Sequence, residues 1–327
     1  MNIAIVVLNW NDWKNSIDCL ESIYQNKGKF DVFLVDNGSA ITNFLKIIQW
    51  HRGLILPNRK YIKTKEKKLG RIIYVNPQKN IFNEIKNLRN LYVIKNKINY
   101  GLTKGLNIAY NYLIRNNYDI ILRIDNDFVI SKDYIEKILI TVKNKDVSSA
   151  SPKIMHASIK KNVWFKGFKM NWFYLKFQKT MNLKKRRLFD NNKFNNTIET
   201  DVISGCCSVY KSQILKKSGL GDEDFFYGPE DIELSYRLKK HGKLICNRKI
   251  KTFHKIARSS AIADQLDRTF QSTYGFLTLI KKIGTTSDKI FGYSFFLLRG
   301  VYYFFFLKNN KIKKGYIKAL SSFFKDK

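Results

Sequence analysis

The feature that most constrains the fold is an alternation of short apolar runs with helix-patterned segments in the first half of the chain. Ile3–Leu8 is a continuous run rich in β-branched residues, which is typical of a strand buried on both faces. Helical spacing follows at Asp12–Tyr24, and Asp31–Val35 predicts a second strand. The alternation continues with predicted strands at Leu91–Lys95 and Asp119–Ile124, and predicted helices at Gly105–Arg115 and Lys132–Lys143. This pattern predicts an α/β fold with a mostly parallel central sheet flanked by helices.

A polar cluster follows each of four predicted strands. These clusters are Asn9-Trp10-Asn11, Asp36, the segment from Asn99 to Gly105, and Asp125-Asn126-Asp127. Ligands of parallel α/β sheets bind outside the carboxyl ends of the strands. The four clusters therefore predict one ligand-binding crevice.

Charge and composition limit the class of partner. The chain has 327 residues, and its 60 Lys and Arg against 26 Asp and Glu leave a formal net charge of +34. This excess indicates an anionic partner, which nucleic acid, an anionic membrane surface or a phosphorylated substrate would all satisfy. A hydrophobic fraction of 44% excludes a wholly disordered chain. The four cysteines form no CxxC pair, which argues against structural zinc and favours a reducing compartment.

The two ends of the sequence predict a location. Met1-Asn2 leads directly into a predicted strand without the basic region of a signal peptide, so we expect a cytoplasmic protein. Near the other end, Ile290–Leu307 is strongly apolar, but Arg299 near its middle would cost about 2.5–3.5 kcal/mol inside a bilayer. Flanking lysines favour a helix lying in the membrane interface. Packing of this helix on the protein's own core is the alternative.

Asp125 and Asp127 are the candidate metal ligands. They follow an apolar strand, and strand periodicity would place both carboxylates on one side. Two such carboxylates suit Mg²⁺ or Mn²⁺ bridging a diphosphate, because these cations take a few protein oxygens together with substrate phosphates. A turn that caps the helix at Lys132 is the alternative.

Two further groups are candidates for ligand contact. Asp36 could accept a hydrogen bond from a base or ribose, or could simply form the Asp-Asn-Gly turn. The segment from Asn99 to Asn107 opens a helix and contains Gly101 and Gly105, which suits close backbone approach to an anion. It matches neither GxGxxG nor a Walker loop.

Glu230 and Asp231 are candidates for acid–base chemistry. They stand at the start of a predicted helix over Ile232–His241, where a carboxylate could take a proton from an acceptor hydroxyl. Helix capping is the alternative at these positions. His254 could contact a metal or a phosphate, although a single histidine is more often structural.

The order of these motifs resembles that of a known family. The chain contains, in sequence, VVLNWN, VDNGS, NKINYGLTKGLNIAYN, RIDNDF, ISGCCSVY and FFYGPEDIELSYRLKKHG, followed by His254. This order resembles the inverting family-two glycosyltransferases of the GT-A fold, and within them the bacterial rhamnosyltransferase-like branch. The resemblance covers about residues 1–260. The stretch between VDNGS and the third motif is longer than is usual in the family.

The resemblance implies a role for each matching residue. Asp36 would contact the nucleoside, and Asp125, Asp127 and His254 would hold Mg²⁺ or Mn²⁺ on the diphosphate. Asp231 would be the catalytic base, with Glu230 beside it. The nucleotide-sugar site would comprise Asn9, Asn11, Asp36, Asn99, Gly101, Lys104, Gly105, Asn107, Arg123, Asp125 and Asn126. The acceptor side would comprise Gly205, Cys206 and Trp172.

The resemblance also implies a domain organisation. We expect a catalytic domain over residues 1–255, with a nucleotide-sugar half at about 1–130 and an acceptor half at about 131–255. Beyond the resemblance, the apolar run and its flanking lysines predict that residues 256–327 form a C-terminal helical, amphipathic extension that associates with a membrane.

The expected function is transfer of a sugar from a dTDP-, UDP- or GDP-linked donor to a hydroxyl of a lipid-linked or oligosaccharide acceptor, with inversion. The family implies bacterial surface polysaccharide or lipopolysaccharide assembly at the inner face of the cell membrane, without nucleic acid. A nucleic-acid-binding protein is an alternative, suggested by the charge and by the basic, aromatic segment Lys160–Arg187. A nucleotidyltransferase and a non-catalytic scaffold are the others.

Overall fold

The computed structural model describes residues 1–58, 60, 70–79, 88–159, 162–169, 196–255 and 264–325. Trp172, which was predicted on the acceptor side, lies outside the described residues, as does most of the segment Lys160–Arg187.

One sheet and two sets of flanking helices make up the described structure. The strands are β1 (Ile3–Asn9), β2 (Asp31–Asn37), β3 (Ile72–Val75), β4 (Leu91–Asn96), β5 (Ile120–Ile124), β6 (Phe128–Ile130), β7 (Val147–His156), β8 (Val163–Phe165), β9 (Thr197–Thr200), β10 (Cys207–Lys211) and β11 (Lys243–His254). The helices are α1 (Trp13–Tyr24), α2 (Ile41–His51), α3 (Leu102–Arg115), α4 (Tyr134–Lys143), α5 (Ser212–Ser218), α6 (Glu230–Lys239), α7 (Gln265–Ile283), α8 (Thr286–Phe306) and α9 (Asn310–Lys325).

The sheet follows the order β3-β4-β2-β1-β5-β10-β7-β11-β6, with β8 paired to β7 and β9 paired to β11. From β3 to β5 every pair is parallel, as the alternating pattern predicted. β10 then runs antiparallel to both β5 and β7. β11 is parallel to β7 and antiparallel to β6. The predicted α/β fold with a central sheet flanked by helices is confirmed, and its second half is mixed.

Both faces of the sheet are buried, which explains the unbroken apolar run of β1. Ile5 and Val7 belong to a core shared with α1, α2 and α4, whereas Ala4 and Val6 belong to a second core shared with α3, α5 and α6. Side chains alternate between the faces of a strand, so a strand covered on both sides is apolar at every position.

Helix α2 was not predicted from the sequence. It buries Phe44, Ile47 and Trp50 against the first core. The indole of Trp50 donates a 2.8 Å hydrogen bond to the carboxylate of Glu21 on α1. Tertiary contacts therefore hold α2 in place.

The three C-terminal helices pack around their own apolar cluster, which includes Leu277, Ile280, Phe296, Tyr316 and Phe323. The helix predicted over Ile290–Leu307 corresponds to α8. No helix in the described part of the chain is long and apolar enough to cross a membrane.

Helix α7 also contacts the part of the molecule that precedes the C-terminal helices. Leu279 joins a small core with Phe225 and Ile232, and Lys282 forms ion pairs with Asp222 and Asp224 at 2.6 Å each. The C-terminal helices therefore support the segment that leads into α6.

Candidate active site

The carboxyl end of β1 meets that of β2 at Asn9 and Asp36. Asn9 Nδ2 donates to Asp36 Oδ1 at 3.0 Å and to Ser39 Oγ at 3.1 Å. Burial raises the pKa of Asp36, although the hydrogen bonds from Ser39 and Asn9 act to lower it. The second oxygen, Asp36 Oδ2, has no hydrogen-bond partner among the described residues. Asp36 is fully buried, so this oxygen lacks a partner and is not open to solvent.

Asn11 fixes the loop that follows β1. Its Oδ1 accepts a 2.8 Å hydrogen bond from the amide of Ala40, and its own amide donates to Ser39 Oγ at 2.9 Å. The side chain of Asn11 therefore joins the β1 and β2 loops.

Asn37 holds a network that the sequence analysis did not identify. Its Nδ2 donates to Asn99 Oδ1 and to the carbonyl of Gly101, each at 2.9 Å. Its Oδ1 accepts from Asn96 Nδ2 at 3.0 Å. From the sequence, the pattern Asp-Asn-Gly-Ser indicated only a turn. The position of Asn37 directly after Asp36 is the signal that could have identified it as a site residue. This network fixes the loop that enters α3.

The residues of this loop differ in what they contact. Gly101, at φ +82°, lies so close to Phe226 that a Cβ would come within 2.6 Å of the ring. Gly105 packs against Leu8. Asn107 Nδ2 donates to the carbonyl of Gly221 at 2.8 Å. These three predicted ligand-binding residues make tight packing and loop contacts within the protein.

Lys104 is half-exposed and lies 3.8 Å from Glu223. Of the predicted ligand-binding residues in the segment that leads into α3, Lys104 is the one with a charged side chain. Because this side chain is also exposed to solvent, it can reach an anionic ligand.

Arg123 links the turn after β5 to helix α6. The guanidinium is buried, and its Nε donates to Asp125 Oδ1 at 3.0 Å. Its Nη1 lies 3.5 Å from Glu230 Oε1. Gly205 leaves room for this arrangement, since a Cβ there would come within 2.9 Å of both Arg123 Nη1 and Asp231 Cβ. The Arg123 guanidinium thus contacts the carboxyl groups of both Asp125 and Glu230.

The carboxylates of Asp125 and Asp127 have different partners. β5 ends at Ile124, and the amide of Phe128 donates to the carbonyl of Asp125 at 3.1 Å, so these residues form a tight turn. Asp125 and Asp127 therefore do not lie in a strand, as the prediction that both carboxylates project to one side had assumed. Asp127 Oδ2 lies 2.9 Å from His254 Nε2. Asn126 turns towards α1 and donates to Ser16 Oγ at 3.1 Å.

His254 is held in place by aromatic rings. It stacks on Phe128 with ring centroids 4.6 Å apart, and Trp164 meets it edge-on at 4.9 Å. Its Nδ1 is buried without a partner among the described residues. A carboxylate beside an imidazole is a donor set that suits Mn²⁺ and, less well, Mg²⁺. The described residues contain no group of three or more His, Cys, Asp or Glu side chains able to hold a metal ion.

Helix α6 begins with two adjacent carboxylates. Burial, and then the charge of Asp231, raises the pKa of Glu230 from 4.5 to about 7, while Arg123 acts to lower it. Asp231 Oδ2 accepts a 3.3 Å hydrogen bond from the amide of Gly205. Cys206 lies close by, and burial raises the pKa of its thiol well above the usual value. The two adjacent carboxyl groups therefore lie in different environments, with Glu230 beside Arg123 and Asp231 beside Gly205.

Comparison with known proteins agrees with this architecture. Residues 78–219 match the family model described as Glycosyl transferase family 2. No curated protein sequence matches the chain.

Two solved structures are similar across the whole chain. A crystal structure of GalNAc-T7 with UDP, GalNAc and Mn²⁺ superposes with a TM-score of 0.55 at 12% identity, covering 100% of this chain and 56% of that one. Residues 1–349 of TarS from S. aureus, in complex with UDP-GlcNAc, superpose with a TM-score of 0.53 at 14% identity, covering 99% and 80%. The chain thus spans little more than half the length of GalNAc-T7. The chain has the GT-A fold, and its residues 78–219 are similar to glycosyltransferase family 2.

Proposed function

We propose that the protein is an inverting glycosyltransferase that moves a sugar from a nucleotide-diphosphate sugar to a hydroxyl of a glycan acceptor. The observation that carries this proposal is the double contact of Arg123, which lies 3.0 Å from Asp125 and 3.5 Å from Glu230. Through this contact, carboxyl groups from the turn after β5 and from α6 lie within reach of one buried guanidinium. The family 2 match and the UDP-containing structural neighbours support this reaction class.

The donor would lie over the ends of β1, β2 and β5. Asp36, whose Oδ2 is buried without a partner among the described residues, would accept a hydrogen bond from a base or ribose when the donor is bound. Asp127 and His254 would hold Mg²⁺ or Mn²⁺, with donor phosphates completing its coordination. Bound there, the cation would offset the negative charge that builds on the leaving diphosphate.

Asp231 is the proposed catalytic base. An acceptor hydroxyl gives its proton to the Asp231 carboxylate while its oxygen forms a bond to the anomeric carbon. The bond from that carbon to the diphosphate oxygen breaks, and the nucleoside diphosphate leaves with the electron pair. Attack opposite the leaving group inverts the anomeric centre. The helix N-terminus and the amide of Gly205 favour negative charge on Asp231, as a base requires.

Glu230 would serve a different role from Asp231. It is buried against Arg123, and its raised pKa of about 7 keeps much of it protonated near neutral pH. We assign it to positioning Arg123 and the start of α6.

The acceptor and location follow from the family resemblance and the charge. We propose a lipid-linked or oligosaccharide acceptor in bacterial surface polysaccharide or lipopolysaccharide assembly. The protein would work as a peripheral protein at the inner face of the cell membrane, where a net charge of +34 favours an anionic leaflet.

A thermal-shift screen tests the donor site. UDP, dTDP, GDP, CMP and ADP are compared with and without Mn²⁺. We expect one diphosphate to raise the melting temperature by several degrees, because a ligand that binds only the folded state stabilises it. The shift should disappear with EDTA and in Asp127→Ala. A screen in which no nucleotide stabilises the protein would contradict the proposal.

Asp231→Asn tests the base. It should lower kcat by about 10²–10⁴-fold, since the amide cannot accept the proton, and leave nucleotide affinity unchanged. Glu136→Gln, an exposed carboxylate change on α4, is the matched control and should keep normal turnover. Near-normal turnover of Asp231→Asn would remove Asp231 from this role.

A further inference from the structure

Helix α8 turns a row of large apolar side chains away from the rest of the protein. These side chains are between 47% and 71% exposed. They recur at helical spacing, so they share one face. We call this face the α8 outer face and define it by Ile290, Phe291, Leu297, Leu298, Val301 and Phe305.

The opposite face of α8 provides its packing on the protein. Phe296 is buried and stacks on Tyr316 of α9 with centroids 6.2 Å apart. Gly300 approaches Leu320 so closely that a Cβ would come within 2.7 Å of it. The helix thus packs on the protein's own core through one face, and the α8 outer face is not needed for that packing.

The central arginine of α8 does not interrupt the outer face. Arg299 donates from Nε to Tyr303 Oη at 2.8 Å, and its guanidinium lies 5.6 Å from the ring centroid of Tyr316. These contacts direct its charge towards α9. The six residues of the α8 outer face therefore form an apolar strip without a charged side chain among them.

Lysines lie near both ends of this strip. Lys289 precedes Ile290, and Lys308 follows the end of the helix. Lys313 Nζ lies 5.1 Å from the ring centroid of Phe304, and Lys314 is exposed on α9. Asp288 is engaged in a capping box with Thr285 at the start of α8. An apolar strip with a basic border matches the boundary between acyl chains and anionic headgroups.

We propose that the α8 outer face docks the protein on an anionic lipid surface. A second copy of the chain fits less well, since a symmetric contact would bring the same lysines of two +34 molecules together. Apolar side chains with a cationic border instead complement a lipid leaflet. This proposal assigns to one face of α8 the membrane contact that the proposed function includes. It rests on that function only in implying a membrane-borne acceptor.

Vesicle sedimentation of the full chain tests the docking. The lipids are pure phosphatidylcholine and an equimolar mixture of phosphatidylcholine and phosphatidylglycerol. Leu298→Ser combined with Phe305→Ser should weaken partitioning into the mixed vesicles by about tenfold or more, because two exposed apolar anchors are lost. Lys308→Gln combined with Lys314→Gln should weaken binding to the mixed vesicles but not to the neutral ones.

The matched control changes exposed apolar residues elsewhere. Leu54→Ser combined with Ile140→Ser alters side chains that are 73% and 57% exposed, and should bind vesicles like the wild type. Equal binding by the Leu298/Phe305 variant and the wild type would overturn the proposal. So would a wild-type dimer, seen by analytical ultracentrifugation, that this variant abolishes while vesicle binding persists. Nucleotide thermal shifts on the same variants separate failure of docking from failure of the donor site.

Discussion

At the scale of single residues, the buried guanidinium of Arg123 organises the candidate site. It contacts Asp125 and Glu230, which belong to elements far apart in the sequence. Buried carboxylates need such a partner, because removing a charge from water is costly unless it is paired. Arg123 offsets only part of the cost of burying a charge on Glu230, so the pKa of Glu230 remains raised.

The raised pKa of Glu230 predicts how stability depends on pH. The folded state holds this proton up to about pH 7, whereas the unfolded state loses it near 4.5. Between these values the folded state binds more protons, so the free energy of unfolding falls as pH rises. Glu230→Gln should remove this fall, which amounts to about 3 kcal/mol at most.

Urea unfolding of both proteins from about pH 4 to about pH 8 measures this difference. Glu136→Gln serves as the control, since its exposed side chain on α4 should leave the wild-type pH profile unchanged. Parallel profiles for wild type and Glu230→Gln would show that Glu230 does not titrate in this window.

At the scale of elements, helix α7 supports the loop that leads to Glu230 and Asp231. Gly275 contacts the carbonyl of Gly228 and the ring of Pro229. A Cβ at Gly275 would overlap the Gly228 carbonyl and come within 2.9 Å of Pro229 Cδ. The backbone directly before Glu230 therefore depends on a helix from the C-terminal extension.

Gly275→Ala tests this contact, because the contact determines whether the substitution raises or lowers the free energy of unfolding. In an unconstrained helix interior the change stabilises by about 1 kcal/mol, because alanine is the better helix former. Here we expect a loss of about 1–3 kcal/mol from overpacking, together with a lower kcat. Urea unfolding and turnover assays measure both. A stabilised variant with full turnover would show that the Gly228–Pro229 segment can move aside at no cost.

At the scale of the whole molecule, residues 1–255 and the C-terminal helices share apolar contacts. Leu279 packs with Phe225 and Ile232, and Lys282 pairs with Asp222 and Asp224. The boundary proposed at residues 255 and 256 therefore separates two parts that support each other. Common buried surface favours cooperative unfolding.

We predict that the full chain unfolds in one thermal transition. Calorimetry should return equal calorimetric and van't Hoff enthalpies, because loss of α7 exposes Phe225 and Ile232. Lys318→Gln, which alters an exposed residue of α9, is a control that should keep a single peak. Two resolved peaks would instead mark residues 1–255 and 264–325 as independent units.

The amino-acid sequence by itself determined the elements whose patterns are local. The continuous run Ile3–Leu8, the turn after Asp36 and the periodicity of α1, α3 and α4 predict strands, loops and helices in nearly the observed places. The carboxyl ends of parallel strands share one edge, so the gathering of polar clusters there could also be predicted.

Tertiary structure decided what depends on distant partners. α2 lies where Trp50 meets Glu21, and β10 lies antiparallel between β5 and β7, which no local period could indicate. The partners of Asp125 and Asp127 differ because a turn replaces the strand after Ile124. The spacing of apolar residues along the sequence predicts which face of a helix or strand is buried. Strand pairing and the partners of side chains depend on contacts that form only when the chain has folded.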